Sequence, residues 1–144
     1  MNYKIYNTLP REAAIIRKAV FVEEQGFENE FDDIDSYANH LVLFDNDKPI
    51  ATCRFFKKQE NESYIVGRIA VVKQYRGQNI GAYLLKIVEE KMNEINGKYI
   101  FLHSQVRAKE FYEKQGYLPY GAIDYDENCP HIWMYKEIKQ SKEC

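Results

Sequence analysis

The sequence predicts an α/β domain built on a mixed sheet with helices on both faces. Three observations predict it. The first β-rich segments follow one another as a meander: NYKIY, HLVLF and the hairpin partner that begins at Ile50. The later ones alternate with helical segments, the order that parallel neighbours in a sheet require. The chain of 144 residues is long enough to enclose one core, so residues 1–144 are expected to form a single domain.

Each element has its own signal. Asn2 to Tyr6 alternates as a short strand. Thr8 to Glu24 opens with Thr-x-Pro and carries Ile15, Ile16, Ala19 and Val20 on one face, which predicts a helix. Residues 25–37 are acidic and predict a loop or a short helix. His40 to Phe44 reads as a buried strand, DNDKP as a turn, and Ile50 to Lys57 as its hairpin partner. Lys58 to Ser63 is a second polar turn before the long β-rich run Tyr64 to Val72. Gly81, Leu84, Leu85, Val88, Met92 and Ile95 recur at helical spacing, and Asn96-Gly97 ends that helix. Lys98 to Ser104 is a strand, and Gln105 to Gln115 a helix closed by Gly116. Tyr117 to Gly121 and His131 to Lys136 are the last strands. An exposed strand edge is expected at Trp133, where a second copy could pair to form a homodimer.

Composition narrows the function. A formal net charge of −2 gives no field that would draw the chain to nucleic acid or to an anionic membrane. The 12 tyrosines and 8 phenylalanines come without a basic stripe, so they read as core and sheet surface rather than as a nucleic-acid platform. There is no 18-residue apolar run, and MNYKIYNTLPRE lacks the apolar core of a signal peptide. Cys53, Cys129 and Cys144 are odd in number and far apart, which suits neither a zinc site nor a disulfide framework. A reducing cytoplasm is the expected location, and no metal is expected.

One stretch asks for a ligand. In VVKQYRGQNIGAYLLKIVEEK, no Ser, Thr or Asp lies between Lys73 and Gly81, where the helix must begin. No Asp or Glu occurs between Glu62 and Glu89 to offset the positive helix start. Lys73 and Arg76 add positive charge instead, and Gly77 and Gly81 carry no side chain to obstruct approach. Such an end suits an external anion, most naturally a phosphate, and a glycine turn for close strand–helix packing is the plainer alternative. A Walker loop and a dinucleotide fingerprint are both missing.

The spacing Arg76-Gly77-Gln78-Asn79-Ile80-Gly81 resembles the Arg/Gln-x-x-Gly-x-Gly/Ala signature of the GNAT N-acetyltransferases, with Asn79 in place of the first glycine. Asparagine tolerates turn geometry better than most residues. Gln105-x-x-Ala108-x-x-Phe111-Tyr112-x-Lys114-x-Gly116-Tyr117 is similar to the Asn-x-x-Ala-x-x-Phe-Tyr-x-Lys-x-Gly-Phe helix of the same family. The two motifs come in the right order, one strand apart. Further upstream, Arg17-x-x-Val20-Phe21-Val22-x-Glu24-Gln25 and Phe31-Asp32-x-x-Asp35-x-x-Ala38-x-His40-Leu41 resemble the small ElaA-like branch.

The resemblance implies a largely antiparallel sheet splayed between its fourth and fifth strands, Tyr64–Val72 and Lys98–Ser104. It implies acetyl-coenzyme A as acyl donor, with Arg76, Gly77, Gln78, Asn79, Ile80, Gly81 and Ala82 around the pyrophosphate. Backbone of Ile69, Ala70 and Val71 would hold pantetheine and the thioester oxygen, and Gln105, Ala108 and Tyr112 would complete the cofactor side. Tyr112 takes the role of general acid: a phenol is protonated at neutral pH and can meet a leaving thiolate. The acceptor is an amine of a small molecule, amino acid, peptide or protein lysine. The base stays open among Glu24, His40, His103 and water, because Ser63 to Val88 holds no carboxylate. A non-catalytic acyl-coenzyme A-binding or sensing domain is the alternative. The acids Glu23, Glu24, Glu28, Glu30, Asp32, Asp33 and Asp35 are expected either as a solvated loop or as a wall that attracts a cationic acceptor.

Overall fold

The computed structural model describes residues 1–58 and 62–139. Its strands are β1 (Asn2–Tyr6), β2 (Asn39–Asp45), β3 (Lys48–Lys57), β4 (Ser63–Val71), β5 (Tyr99–Gln105), β6 (Leu118–Asp126) and β7 (Cys129–Glu137). The α-helices are α1 (Arg11–Arg17), α2 (Ile80–Ile95) and α3 (Lys109–Lys114). The hydrogen-bonded strand order is β1-β2-β3-β4-β5-β7-β6, a seven-stranded mixed sheet. The chain divides into two compact units, residues 1–56 with 67–86 and residues 57–66 with 87–144.

In the first unit, β1 and β2 pair antiparallel from Asn2↔Phe44 to Tyr6↔His40, and β2 pairs antiparallel with β3. α1 lays Ala13 against Val42 and Phe44, with Tyr6 and Leu9 packed beside them. Ile16 and Val20 meet Ala70 of β4. The single helix expected over Thr8 to Glu24 is corrected in two ways. It starts after Pro10, which is extended at φ −81° and ψ 156°, and from Lys18 to Glu24 it continues as a π-helix. A wider turn keeps the same apolar stripe, so periodicity alone does not separate the two.

The acidic segment divides: Glu23, Glu24, Glu28, Asp32 and Asp33 are exposed, as a solvated loop would have them, whereas Glu30 and Asp35 are buried. Arg17, 1% exposed, donates Nε to Glu30 Oε2 at 2.9 Å and Nη1 to Asp35 Oδ1 at 2.7 Å. Arg54 donates Nη1 to Asp32 Oδ1 at 2.6 Å and to Asp35 Oδ1 at 3.0 Å. Arg68 of β4 reaches the Glu30 carboxylate at 3.0 Å and the Asp32 carboxylate at 3.3 Å. Three guanidinium groups thus consume three of the seven acids. Arg68 sits in the left-handed region at φ 53°, a local break in the strand that its ion pairs hold in place.

In the second unit, β4 pairs parallel with β5 over Ser63↔Tyr99, Tyr64↔Ile100 and Ile65↔Phe101. The antiparallel register of β5 with β7 is longer, from Tyr99↔Glu137 to Gln105↔His131. Ile87, Val88 and Met92 of α2 are buried, as are Ile100, Leu102, Tyr117 and Met134. Asn96, at φ 59°, ends α2, and Gly97 N donates to Met92 O at 2.8 Å. Lys136 Nζ donates to Glu89 Oε1 at 2.9 Å and to the Gln115 carbonyl at the end of α3 at 2.8 Å.

Three further expectations are corrected in this unit. The helix expected from Gln105 begins later: Gln105 ends β5, Val106–Ala108 is a 3-10 turn, and α3 starts at Lys109. The strand expected over Tyr117 to Gly121 runs from Leu118 to Asp126, past Gly121 and a register shift between Tyr120 and Asp124. Trp133 does not lie on an edge strand, because β7 pairs with β5 on one side and β6 on the other; β6 is the edge. The polar turn expected at Lys58 to Ser63 lies partly outside the described residues, as does Cys144. Cys53 is buried, and burial alone pushes its thiol up to about 12.

The ion network predicts an acid-sensitive fold. Burial disfavours the Asp35 carboxylate, but the hydrogen bonds and charge of Arg17 and the bonds from Asp32 N and Arg54 outweigh it, lowering its pKa to about 2. A depressed carboxylate stabilises the fold above its unfolded pKa of about 4. That contribution, on the order of 2 kcal/mol, is lost as pH falls from about 4 to about 2. Glu30 acts in the opposite sense, since burial raises it. Asp35→Asn is therefore expected to cost about 3–5 kcal/mol at pH 7 by leaving buried Arg17 half-paired. It should also flatten the acid limb of stability against pH. Chemical denaturation of both proteins at pH 7 and pH 3 measures this, and an unchanged acid limb would refute the assignment.

Candidate active site

The candidate cradle is built where β4 turns into α2. After Val71, the 3-10 turn Lys73–Tyr75 reverses the chain, and Val72 N donates to Ile50 O at 2.9 Å on β3. Tyr75 Oη donates to Asp45 Oδ2 at 2.6 Å and pins the turn to the end of β2. Gly77 then takes φ 80°, a conformation that other residues rarely adopt, and a Cβ there would meet nothing within 4 Å. Backbone conformation, not crowding, is what requires glycine at this position.

Asn79 answers the question of its substitution. Its φ is 61°, so an asparagine stands in the left-handed conformation where the family signature has glycine. The Asn79 carbonyl accepts from Tyr83 N at 3.1 Å, the first bond of α2. One correction follows: a residue of a capping type does stand at the helix start, since Asn79 holds the N-cap position. Its left-handed backbone differs from the extended one of an ordinary side-chain cap. No acid lies in the first turn of α2. Gly77, Gln78 and Asn79 are exposed, so the helix end faces solvent.

Arg76 is held rather than free. Its Nη1 and Nη2 each lie 2.8 Å from the two Glu24 oxygens, and its Nε donates to Val71 O at 3.0 Å. The guanidinium beside Glu24 holds that carboxyl below its ordinary range. Arg76 thus ties the end of the π-helix to the end of β4, and the positive character at the helix end comes from backbone more than from Arg76. Ile69 and Val71 are half-buried and Ala70 is buried against Ile16 and Val20.

The β5–α3 motif lies in the second unit. Gln105 ends β5, and its Oε1 accepts from Arg107 Nε at 2.6 Å. Ala108 precedes α3 at φ −100°. Tyr112 is half-buried, with its ring edge-on to Phe111 at 5.0 Å and to Tyr117 at 6.2 Å. These two rings orient the phenol from one helix face and from the core.

The base candidates separate. Glu24 gives both oxygens to Arg76. His40 is 1% exposed, its Nε2 lies 3.1 Å from the Asp35 carbonyl, and burial lowers its pKa. It is a hydrogen-bonded core histidine. His103 is different: its side chain is 29% exposed, and Nε2 lies 2.7 Å from Asp124 Oδ1. Its ring is stacked with His131 at 4.6 Å and Trp133 at 4.7 Å. Asp124 was not singled out from the sequence, since it lies in a stretch with no strand signal. Among the described residues, no group of three His, Cys, Asp or Glu could hold a metal, and no helix is long and apolar enough to cross a membrane.

Comparisons with known proteins identify the family. Residues 8–138 match the model of the acetyltransferase (GNAT) domain. The chain is 29% identical over 130 residues to the uncharacterized N-acetyltransferase YjcF of Bacillus subtilis, covering 88% of this chain and 91% of that protein. It is 29% identical over 131 residues to protein ElaA of Escherichia coli, covering 88% and 86%. The crystal structure of E. coli ElaA superposes with a TM-score of 0.80 at 27% identity, over 95% of this chain and all of that one. An aminoglycoside 6'-N-acetyltransferase complexed with coenzyme A shares the fold, with a TM-score of 0.75 at 16% identity over 99% and 100% of the two chains.

The cradle is testable apart from any turnover. Gly81→Glu puts a carboxylate into the first turn of α2, where it favours the helix and opposes an anion. We expect unchanged or higher thermal stability together with an acetyl-coenzyme A affinity weaker by about 100-fold or more, read by calorimetry. Asn79→Gly should bind like the wild type, whereas Asn79→Val should weaken binding, because a β-branched residue resists φ 61°. Equal affinity in Gly81→Glu and wild type would remove the helix end from the ligand site.

Proposed function

Because the chain belongs to the GNAT acetyltransferase family, we propose that it transfers an acetyl group from acetyl-coenzyme A directly to a primary amine. The acceptor is a small molecule, an amino acid, a peptide or a protein lysine. One observation carries the reading: the exposed start of α2, preceded by two left-handed residues, Gly77 and Asn79, and lacking acid in its first turn. Its amides suit the oxygens of a pyrophosphate. The coenzyme A complex of the aminoglycoside acetyltransferase, a protein of the same fold, supports the choice of ligand.

In this reading, backbone of Gln78 to Ala82 holds the pyrophosphate, and backbone of Ile69 to Val71 holds the thioester arm. A backbone N–H of β4 steadies the oxyanion as the amine nitrogen bonds to the thioester carbon. The carbon–sulfur bond then breaks, and the Tyr112 phenol donates its proton to the departing thiolate. Of the four candidates for the base that takes the amine proton, Glu24 and His40 are engaged within the fold, which leaves His103 and water. No covalent enzyme intermediate forms.

A second reading, acyl-coenzyme A binding without turnover, is favoured by one feature: Ser63 to Val88 contains no carboxylate to act as base. Calorimetry with acetyl-coenzyme A, followed by coenzyme A release on a panel of diamines, amino acids and lysyl peptides, separates the two. We expect saturable binding and turnover on at least one amine. Binding without turnover would favour the sensing domain, and no binding would sink both. With an acceptor in hand, Tyr112→Phe is expected to lower kcat by about 10²–10⁴-fold and leave acetyl-coenzyme A affinity unchanged. An unchanged kcat would show that Tyr112 only packs.

A further inference from the structure

α3 carries Tyr112, yet it is poorly equipped to hold its shape alone. It has six residues, Lys109–Lys114, none of them fully buried, and no side chain caps its start. A helix so short is marginal without outside support. The support gathers at its other end. Gln115 N and Tyr117 N both donate to the Tyr112 carbonyl, at 3.0 and 3.1 Å, so the turn after the helix closes on Tyr112 itself.

That turn is gripped from α2 and β7. Lys136 Nζ of β7 donates to the Gln115 carbonyl at 2.8 Å and to Glu89 Oε1 of α2 at 2.9 Å. The first of these bonds caps the C-terminal end of α3 with a cation, where the helix favours one. Glu89 Oε2 accepts from the Tyr117 hydroxyl at 3.0 Å. Tyr117 is fully buried, the Lys136 ammonium lies 5.6 Å from its ring centroid, and its ring meets Tyr112 edge-on at 6.2 Å. A Cβ on Gly116 would stand 3.2 Å from Lys136 Cε, so glycine there lets the lysine stem pass close to the chain. The hydroxyl is a departure from the family signature, because Tyr117 stands where that signature has phenylalanine. The Glu89 carboxylate thus holds two partners that reach Tyr112 by separate routes, the backbone through Gln115 and the ring through Tyr117.

We infer that Glu89 and Lys136 are positioning residues for Tyr112: their ion pair, joined by the Tyr117 hydroxyl, fixes the direction of the Tyr112 phenol. Hydrogen bonds with a charged partner are short and strong, which suits a clamp on a six-residue helix. Proton donation needs the phenol within hydrogen-bond reach of the departing sulfur, and a small misplacement costs much of the rate. The effect on rate rests on Tyr112 as the general acid; the effect on the ring does not.

Two substitutions test the clamp. Lys136→Met keeps the stem and removes the ammonium. Tyr117→Phe keeps the buried ring and removes the hydroxyl, and it carries the test alone if Lys136→Met does not fold. In protein labelled with 3-fluorotyrosine, the fluorine resonance missing from Tyr112→Phe identifies Tyr112. That resonance is expected to shift or broaden in Lys136→Met and, to a smaller degree, in Tyr117→Phe. An unmoved Tyr112 resonance in the folded variants would overturn the inference, whatever the protein catalyses. With an amine acceptor, Lys136→Met should lower kcat about tenfold or more and leave acetyl-coenzyme A affinity within about twofold of wild type. In the Tyr112→Phe background the same substitution should cost less than about twofold, because no phenol is left to position. A loss that adds in full to that of Tyr112→Phe would mark a merely structural role and overturn the inference. A wild-type kcat in Tyr112→Phe would instead overturn the acid reading and with it the effect on rate, and the resonance would still decide the clamp.

Discussion

Asp35 is the point on which the first unit turns. It accepts from Arg17 and Arg54 at once, and its carbonyl takes His40. Through its carboxylate and its backbone carbonyl this one residue joins the end of α1, the acidic loop, β2 and β3. Glu30 and Asp32 extend the network to Arg68, so it reaches the left-handed residue of β4. Buried ions are costly to desolvate, and the return depends on geometry and on every partner being present. Such a network contributes less to net stability than its number of bonds suggests. What it fixes is position, because removing any one member leaves a buried charge behind.

That fixed frame matters for the cradle. The cradle's own residues are glycines and exposed polar side chains, which do little to hold a shape. Its order comes from outside: Tyr75 on Asp45, Val72 on Ile50, and Arg76 across Glu24 and Val71. The Arg76–Glu24 pair is largely exposed and worth at most about 1 kcal/mol, so it steers the loop more than it stabilises the fold. An anion site formed from backbone amides gains from this arrangement, because the donors are already aimed before any ligand arrives.

The sheet of the second unit separates two kinds of surface by strand alternation. Ile100 and Leu102 point into the core with Met134, and Tyr99, Phe101 and His103 point the other way with Trp133 and Tyr135. The high tyrosine content is therefore not core filling alone. Part of it forms a half-exposed face on which rings stack with one another and with two histidines. β6, with Leu118, Tyr120, Ile123 and Tyr125 all exposed, borders that face.

The sequence by itself determined the element order, the strand–turn–helix of the candidate cradle and the Tyr112 motif. These are local: apolar periodicity sets strands and helices, and a run without acids or blocking side chains leaves a helix end open. The Asn79 substitution was legible too, because its meaning lies in one backbone dihedral. Tertiary structure decided what depends on partners distant in the chain. Arg17, Arg54 and Arg68 lie 13 to 38 residues from the acids they pair with, so Glu30, Asp32 and Asp35 could not be told from their exposed neighbours until those partners were placed. The same holds for His103, whose partner Asp124 lies 21 residues away, and for Trp133, which strand order moved from the edge to the interior. Charge and aromaticity can be counted along a chain. Whether they meet water, a ligand or each other is set only when the strands are brought side by side.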